Sequence, residues 1–284
     1  MENNTVRYSN LVDAKLRKTL VTKDNYIFNN RYEGSPIAGK VKIPVRDTEV
    51  AVKTYNTATG ASLSAGSTTY QELDIAYDEA VNEIIDKYLA ASVPDGIVAE
   101  RLDSAGYSLA MSIDTKSVTA LETTDGITVS ATKTACTDTT AYKTVLAAKR
   151  TLSRKGVPND GQRWLIASPE FMEVIMTDDR FIKQGDLSQE LVQAGAVGKV
   201  AGFIVFESNN TMYENTTLVE GKTTSTEFMC GHPNWCHRVE EWSVPVTINN
   251  LTNEYIGSSA VQGRKVYGIK ISKPETVYVK RTEV

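Results

Sequence analysis

The chain segment 230–237 reads CGHPNWCH and holds four side chains that could bind a soft metal ion: Cys230, His232, Cys236 and His237. Thiolate and imidazole groups are the usual zinc ligands. Five residues separate the two cysteines, whereas paired zinc cysteines are typically about two to four residues apart, and the sequence has no second ligand pair. The sequence therefore favours a strand end with buried cysteines and a turn at Pro233, and we predict no metal ion.

Other candidate groups lack the partners that catalysis requires. Ser168 lies in ASPE and not in a Gly-x-Ser-x-Gly elbow, so we predict that it caps a helix. Segment 195–202 reads GAVGKVAG, in which Lys199 precedes a valine and not the Ser or Thr of a phosphate-binding loop. Its glycines are predicted to serve turns or close packing. Glu240 and Glu241 are adjacent and would point in different directions. We predict no catalytic residue and no cofactor.

The composition narrows the class of protein. The 284 residues are 41% hydrophobic and 23% charged, which is typical of a globular protein. Lys and Arg number 31 against 35 Asp and Glu, so the net charge of −4 lacks the basic excess of most nucleic-acid-binding proteins. Two histidines and three cysteines argue against a His-dependent hydrolase and a disulfide framework. No window approaches the about 20 apolar residues of a membrane span, so we expect an aqueous cytoplasmic setting.

The first structural element that the sequence predicts is a β-hairpin. Segment 54–70 draws 13 of its 17 residues from Thr, Ser, Gly and Ala and contains no charge, which is typical of a flexible loop. The flanking segments 40–46 and 73–77 alternate apolar and polar residues, as half-buried strands do. Pro44 fits only an edge or unpaired position there. A tip this long cannot fold into its own core, so we expect it to contact another subunit.

A long helix and a compact α/β region follow. Val98, Leu102, Ala105, Leu109 and Ile113 recur at spacings of four and three, which predicts an amphipathic helix lying across a sheet. The threonine-rich segment 122–140 is predicted to be a connection with a short strand at 127–129. The further predicted elements are a helix at 141–155 ending at Gly156, a buried strand at 163–167, a helix from Pro169 carrying Phe171, Val174, Ile175 and Met176, a strand at 202–206, and a final strand pair at 265–271 and 276–279.

The N-terminal region carries a basic cluster, Lys15, Arg17 and Lys18, with Lys23 close by. The first 25 residues hold five cationic and three acidic side chains, so they could contact phosphate weakly. A solvated arm is the default expectation for such a run of charge.

The order of these motifs resembles that of a tailed-bacteriophage major capsid protein, with the fold named after phage Hong Kong 97. The segments that carry the resemblance are GVP at 156–158, WLIASPE at 164–170, the GxxGxxxGFxVxxS pattern at 195–208, FMCGHP at 228–233 and YGxKxxxP at 267–274. The resemblance spans about residues 30 to 280 and implies an α+β fold.

The resemblance implies a division of the chain into five parts. These are an N-terminal arm at 1–30, an extended β-hairpin loop at 31–77, a peripheral domain at 78–155 with a spine helix at 97–121, an axial domain at 156–255, and a C-terminal return to the peripheral domain at 256–284. The implied contact residues are Thr57, Gly60, Leu63 and Gly66 at the tip of the extended loop, and Gly198, Gly202 and Phe203 in a turn and strand of the axial domain.

The resemblance also implies function. Copies of the chain would form pentamers and hexamers of an icosahedral shell that encloses double-stranded DNA, contacted non-specifically, with no membrane partner. A portal protein and decoration proteins are expected partners. Because Met1 stands directly before the arm, we expect a separate scaffolding protein or assembly without one. The shell would be part of the virion and assemble in the host bacterial cytoplasm. The alternatives are an encapsulin-like nanocompartment shell and a cytosolic α/β metalloenzyme that uses Cys230 to His237.

Overall fold

The computed structural model describes residues 17–32, 39–45, 49–63, 66, 68–86, 96–177, 182–183, 196–210, 216–219, 222–251 and 257–283. The helices are α1 (Gly96–Thr123), α2 (Ala141–Arg154) and α3 (Pro169–Met176). The strands are β1 (Lys40–Val45), β2 (Thr69–Asp74), β3 (Tyr77–Asp86), β4 (Thr128–Val129), β5 (Trp164–Ala167), β6 (Ile182–Lys183), β7 (Ala196–Val200), β8 (Phe203–Glu207), β9 (Thr216–Val219), β10 (Lys222–Gly231), β11 (Cys236–Asn250), β12 (Ser258–Ile271) and β13 (Tyr278–Glu283).

The largest unit is a mixed eight-stranded sheet with strand order β4-β13-β10-β5-β8-β7-β6, to which β9 adds by pairing with β10. All four residues of β5 are buried because both faces of the sheet are covered. On one face, Leu165 packs with residues of α2 and α3. On the other face, Trp164 packs with residues of the N-terminal segment and the end of α1. The main core of the protein therefore lies on both sides of β5.

A second sheet holds three antiparallel strands in the order β11-β12-β3. The long helix α1 lies beside it, and ion pairs join the two. Arg101 and Glu83 are 3.0 Å apart, and Lys116 pairs with Glu79. In α1 the predicted apolar stripe is confirmed at Ala105, Leu109 and Ile113, which are buried. None of the helices in the described part of the chain is long and apolar enough to cross a membrane.

The local expectations are mostly confirmed, but one strand pairing is wrong. Segments 265–271 and 276–279 do not pair with each other, because a 3-10 turn at Pro274–Thr276 carries the chain from the three-stranded sheet into the eight-stranded one. Helix α3 carries Phe171, Val174, Ile175 and Met176 as expected, and its buried residues are Phe171, Met172 and Ile175.

The segment after residue 16 is also not a solvated arm. Val21, Ile27 and Phe28 are buried in the core that the eight-stranded sheet shares with α1. Arg17 pairs with Asp103 of α1, and the Lys18 N–H donates to the Tyr107 hydroxyl at 2.7 Å. Lys15 lies outside the described residues. Arg17, Lys18 and Lys23 are exposed, as expected for the basic residues, but the segment that carries them packs into the core through Val21, Ile27 and Phe28.

Candidate intersubunit surface

The predicted hairpin is present. Strands β1 and β2 pair antiparallel, with Lys40 opposite Asp74 and Val45 opposite Thr69, and they form a sheet of their own. Both strands are therefore edges, so Pro44 occupies a position that needs no further ladder hydrogen bond. Lys40 lies 3.1 Å from both the Glu72 and Asp74 carboxylates. This register leaves residues 46–68 as the connection at the far end of the hairpin.

The base of the hairpin is fixed to the body of the protein. Ile43 and Leu73 are buried in a small cluster with Val239 of β11. Gly268 of β12 lies so close to the hairpin that a Cβ placed there would be 2.6 Å from the Asp74 carbonyl oxygen and 2.7 Å from Leu73. Two strands from different sheets can approach this closely only because Gly268 lacks a side chain. The base is therefore a tightly packed joint.

The far end of the hairpin differs sharply from its base. Val52 and Leu63 are fully exposed, Val50 is 84% exposed and Tyr55 is 70% exposed. The predicted contact residues Thr57 and Gly66 are exposed too, and Gly60 is half-buried.

Part of this tip is locally ordered. The Gly60 N–H donates to the Asn56 carbonyl at 2.7 Å, and Gly60 adopts a positive φ of 70° that favours glycine. Lys53 Nζ donates to the Ser62 carbonyl at 2.6 Å. The expected flexible loop therefore contains a hydrogen-bonded turn that presents apolar side chains to solvent.

A buried histidine joins the N-terminal segment to the end of β12. The His237 ring hydrogen-bonds through Nδ1 to the Asn29 amide oxygen at 2.9 Å and through Nε2 to the Ser272 hydroxyl at 3.1 Å. Tyr32 contacts its face edge-on at 4.9 Å between ring centroids. Burial, with a smaller effect of the nearby Arg31 charge, lowers the pKa of His237 to about 4. A neutral imidazole therefore links the N-terminal segment, β11 and the residue that follows β12.

The four candidate metal ligands are directed to separate partners. His232 Nε2 lies 3.1 Å from Asp160, and His237 makes the contacts just described. Cys230 and Cys236 are free and buried, and burial raises the pKa of both thiols, to about 12 for Cys236. Metal ligation needs the thiolate. Among the described residues no three His, Cys, Asp or Glu side chains are placed to share an ion. The predicted turn at Pro233 is confirmed.

The other sequence candidates have structural roles. Ser168 caps α3, since its hydroxyl accepts from the Phe171 N–H at 3.3 Å. Ala201 and Gly202, both with positive φ, form the two-residue turn between β7 and β8. Gly198 lies within β7, and Phe203 begins β8 fully buried. The structure therefore brings the predicted turn and strand residues together in one hairpin of the large sheet.

Sequence reasoning missed a buried junction at Asp114 of α1. Its carboxyl group accepts from the Thr22 N–H and hydroxyl, both at 2.8 Å, and from Asn210 Nδ2 at 2.6 Å. Arg238 of β11 donates to the same Thr22 hydroxyl at 3.1 Å. One polar network thus ties together the N-terminal segment, α1, the end of β8 and the second sheet. A lone aspartate in a helix gives no sequence signal for it.

Comparison with solved structures shows what this architecture is. A chain from Mycobacterium phage Che8 matches with a TM-score of 0.73 and 21% identity, covering 99% of this chain and 98% of that one. The capsid structure of cyanophage P-SCSP1u matches with a TM-score of 0.70 and 13% identity, covering 99% and 93%. The mature capsid of bacteriophage PhiM1 matches with a TM-score of 0.66 and 13% identity, covering 98% and 91%. This chain has a phage capsid fold.

A virus-like particle from Pyrococcus furiosus also matches, with a TM-score of 0.52 and 16% identity, covering 92% of this chain and 91% of that one. No protein-family model matches the sequence, and neither does any curated protein. The phage capsid fold is therefore visible in the structure although these sequence comparisons find no relative.

Proposed function

We propose that this chain is the major capsid protein of a tailed double-stranded DNA phage and that its copies assemble through pentamers and hexamers into an icosahedral shell. The observation that carries the proposal is the hairpin, whose base is packed into the subunit while its apolar tip faces solvent. Exposed apolar groups of this kind mark interaction sites. The phage capsid fold supports a second copy of the chain as the partner.

The Hong Kong 97 fold gives each unit of the structure a place in this proposal. The hairpin is the extended loop that lies over a neighbouring subunit. The three-stranded sheet with α1 corresponds to the peripheral domain, and the eight-stranded sheet corresponds to the axial domain that surrounds the five-fold and six-fold centres. Sheet membership argues for boundaries different from those expected at residues 155 and 255, since β11 pairs with β12 and β13 pairs with β10.

Assembly follows from many weak contacts made at once. Burying Val52, Tyr55 and Leu63 of one copy against the next contributes a modest hydrophobic stabilisation per contact, at about 25 cal/mol per Å² of apolar surface. Each subunit in a closed shell gives one such contact and receives another, so the contacts reinforce each other. In this proposal the chain functions by forming the wall of a shell, so it needs no catalytic site.

The wider setting belongs to the same proposal. The shell is part of the virion, assembles in the host bacterial cytoplasm, and encloses DNA that it contacts without reading sequence. A portal protein, a scaffolding protein and decoration proteins are its expected partners.

Sedimentation velocity tests the proposal. Wild-type protein is expected to form pentamers, hexamers or larger shells as its concentration rises. The V52S/L63S variant, which removes the two fully exposed apolar side chains of the tip, is expected to stay small at the same concentrations. The control variant L146S/M176S removes two exposed apolar side chains from α2 and α3 and is expected to assemble. Equal assembly by the tip variant and the wild type would contradict the role given to the hairpin.

The second candidate is an encapsulin-like nanocompartment, which the Pyrococcus particle favours. Both candidates predict shells, so the contents must separate them. Particles purified from the natural source are expected to contain double-stranded DNA if the phage proposal is right. A single co-purifying enzyme in nuclease-treated particles without DNA would support the nanocompartment. The third alternative, a metalloenzyme, loses its supporting observation because His232 and His237 have separate partners and both cysteines are buried thiols.

A further inference from the structure

Helix α2 carries an unusual concentration of positive charge. Segment 141–155 contains five cationic residues, Lys143, Lys149, Arg150, Arg154 and Lys155, and no carboxylate, in a chain whose net charge is −4. The helix is 14 residues long and covers one face of the eight-stranded sheet. Such local excess of one sign creates a positive potential at that surface.

Three of these cations form a row that points directly away from the protein. Successive residues of an α-helix are rotated by about 100°, so Lys143, Arg150 and Arg154 fall on one line along the helix. The buried side of α2 is formed by Ala141, Val145, Ala148 and Leu152 and lies opposite that line. All three cations are exposed. At 1.5 Å per residue, the row extends for roughly 16 Å.

In the described part of the chain the row has no ion-pair partner, whereas several cations on other surfaces do. Elsewhere the pairs include Arg101 with Glu83, Arg264 with Asp78, and Lys265 with Glu240. Within the described ranges, no carboxylate lies at ion-pair distance from Lys143, Arg150 or Arg154. Their charge is therefore available to a ligand from outside the subunit.

A groove of about 620 Å³ runs beside the row, between α2 and segment 128–136. Lys143 and Arg150 contribute to its lining, as does Lys280, and none of the lining residues is acidic. Lys280 is buried, with Nζ donating to the carbonyl oxygens of Thr132 and Thr134 at 2.7 Å. Lys280 Nζ also lies 4.0 Å from the Glu227 carboxylate, so the unpaired positive charge of the groove is that of Lys143 and Arg150.

We propose that the row of Lys143, Arg150 and Arg154 contacts the phosphate backbone of duplex DNA, so that this face of the eight-stranded sheet faces the interior of the shell. The inference rests on the proposed function for the enclosed DNA. Binding to a phosphate backbone requires only positive charges arranged along a line. The side chain between the cations on this row is Ala147, with the exposed Leu146 beside it, so an acidic protein is the competing occupant that a poly-L-glutamate comparison tests.

The expected strength of this contact is compatible with a shell that encloses DNA. Each phosphate neutralised on B-form DNA adds about −0.9 to the slope of log affinity against log salt concentration, so three contacts give about −2.7 per subunit. A slope of that size corresponds to an about 40-fold loss of affinity between 50 and 200 mM salt. Contacts this weak and free of sequence preference hold DNA near the wall while allowing it to slide.

Fluorescence anisotropy of a 20-base-pair duplex with the unassembled full-length protein tests the inference. The variant K143Q/R150Q/R154Q is expected to bind at least about 40-fold more weakly at 50 mM salt and to lose about 2.7 from the salt slope. The control R101Q/R264Q/K265Q removes the same charge from paired positions and is expected to keep the wild-type slope. Poly-L-glutamate, tested in parallel, is expected to bind more weakly than the duplex.

Three outcomes would overturn the inference. In the first, the row variant keeps the wild-type affinity for DNA and the wild-type salt slope. In the second, the control variant loses as much affinity and slope as the row variant. In the third, poly-L-glutamate binds as tightly as DNA, which would indicate an acidic protein as the occupant. Electron microscopy of the same samples distinguishes a failure of this inference from a failure of the proposed function. Shells formed by a protein whose row does not bind DNA would refute the inference alone. Row-dependent DNA binding without shells would refute the capsid proposal alone.

Discussion

The base and the tip of the hairpin use similar apolar residues for opposite purposes. Leu73 at the base is completely buried against β11 and β12, whereas Leu63 at the tip is completely exposed. The two leucines are ten residues apart in the chain. Burial at the base stabilises the subunit and fixes the direction of the hairpin. Exposure at the tip leaves apolar surface for another molecule, so residues of one type serve folding at one end and assembly at the other.

Matched substitutions of the two leucines are expected to show this difference between base and tip most strongly. Leu73→Ala is expected to lower the free energy of unfolding by about 2 to 5 kcal/mol, because it leaves a cavity in the cluster that holds the base. Leu63→Ala is expected to change it by less than about 0.5 kcal/mol, since the side chain touches nothing in the subunit. Urea denaturation of dilute, unassembled protein measures both. Similar losses for the two variants would contradict the assigned difference.

Acidification should weaken the body of the subunit near the hairpin base, where His237 is buried, and leave the tip unaffected. His237 has a pKa of about 4 in the folded protein against 6.5 for an ordinary histidine, so the unfolded chain binds the proton first. Stability from this group is therefore complete above pH 6.5 and is lost as the pH falls toward 4. The loss is expected to reach about 2 to 3 kcal/mol at pH 4.5.

Carboxylates titrate in part of the same range, so the comparison needs a variant without the imidazole. Unfolding free energies at pH 7.5 and pH 4.5 should differ more for the wild type than for His237→Gln, by the amount just given. An equal pH dependence of the two proteins would show that His237 is not buried in its neutral form.

A pair of glycine substitutions gives the smallest expected effect. Gly268→Ala places a Cβ 2.6 Å from the Asp74 carbonyl oxygen, so the hairpin base must shift, at a cost of about 1 to 3 kcal/mol. Gly66→Ala at the tip meets no atom within 4 Å and is expected to be neutral. Thermal unfolding measures both. A neutral Gly268→Ala would show that the joint is looser than the structure indicates.

Local features of the fold could be predicted from the sequence because their signals are local. Ser168 followed by Pro169 predicts a capped helix start, and Gly156, with φ of 76°, ends α2 as expected. The alternation of Val41, Ile43 and Val45 correctly indicates a strand of the hairpin. Each of these patterns depends on residues a few positions apart.

Features that depend on distant residues were not predictable in this way. The strand pairing expected between 265–271 and 276–279 is wrong, because adjacency in sequence does not determine which sheet each strand joins. Asp114 and His237 each have a partner in the N-terminal segment that lies more than 90 positions away in the chain. The cationic row of α2 could be counted in the sequence, but its direction becomes visible only when the buried face of the helix is known.

Electron microscopy of the purified full-length protein tests the central claim, that this chain builds a shell, most directly. We expect closed icosahedral particles, in which the hairpin tip of each subunit covers apolar surface of its neighbour. Monomers at every concentration tested, alone and after co-expression with the genes adjacent to its own, would contradict it.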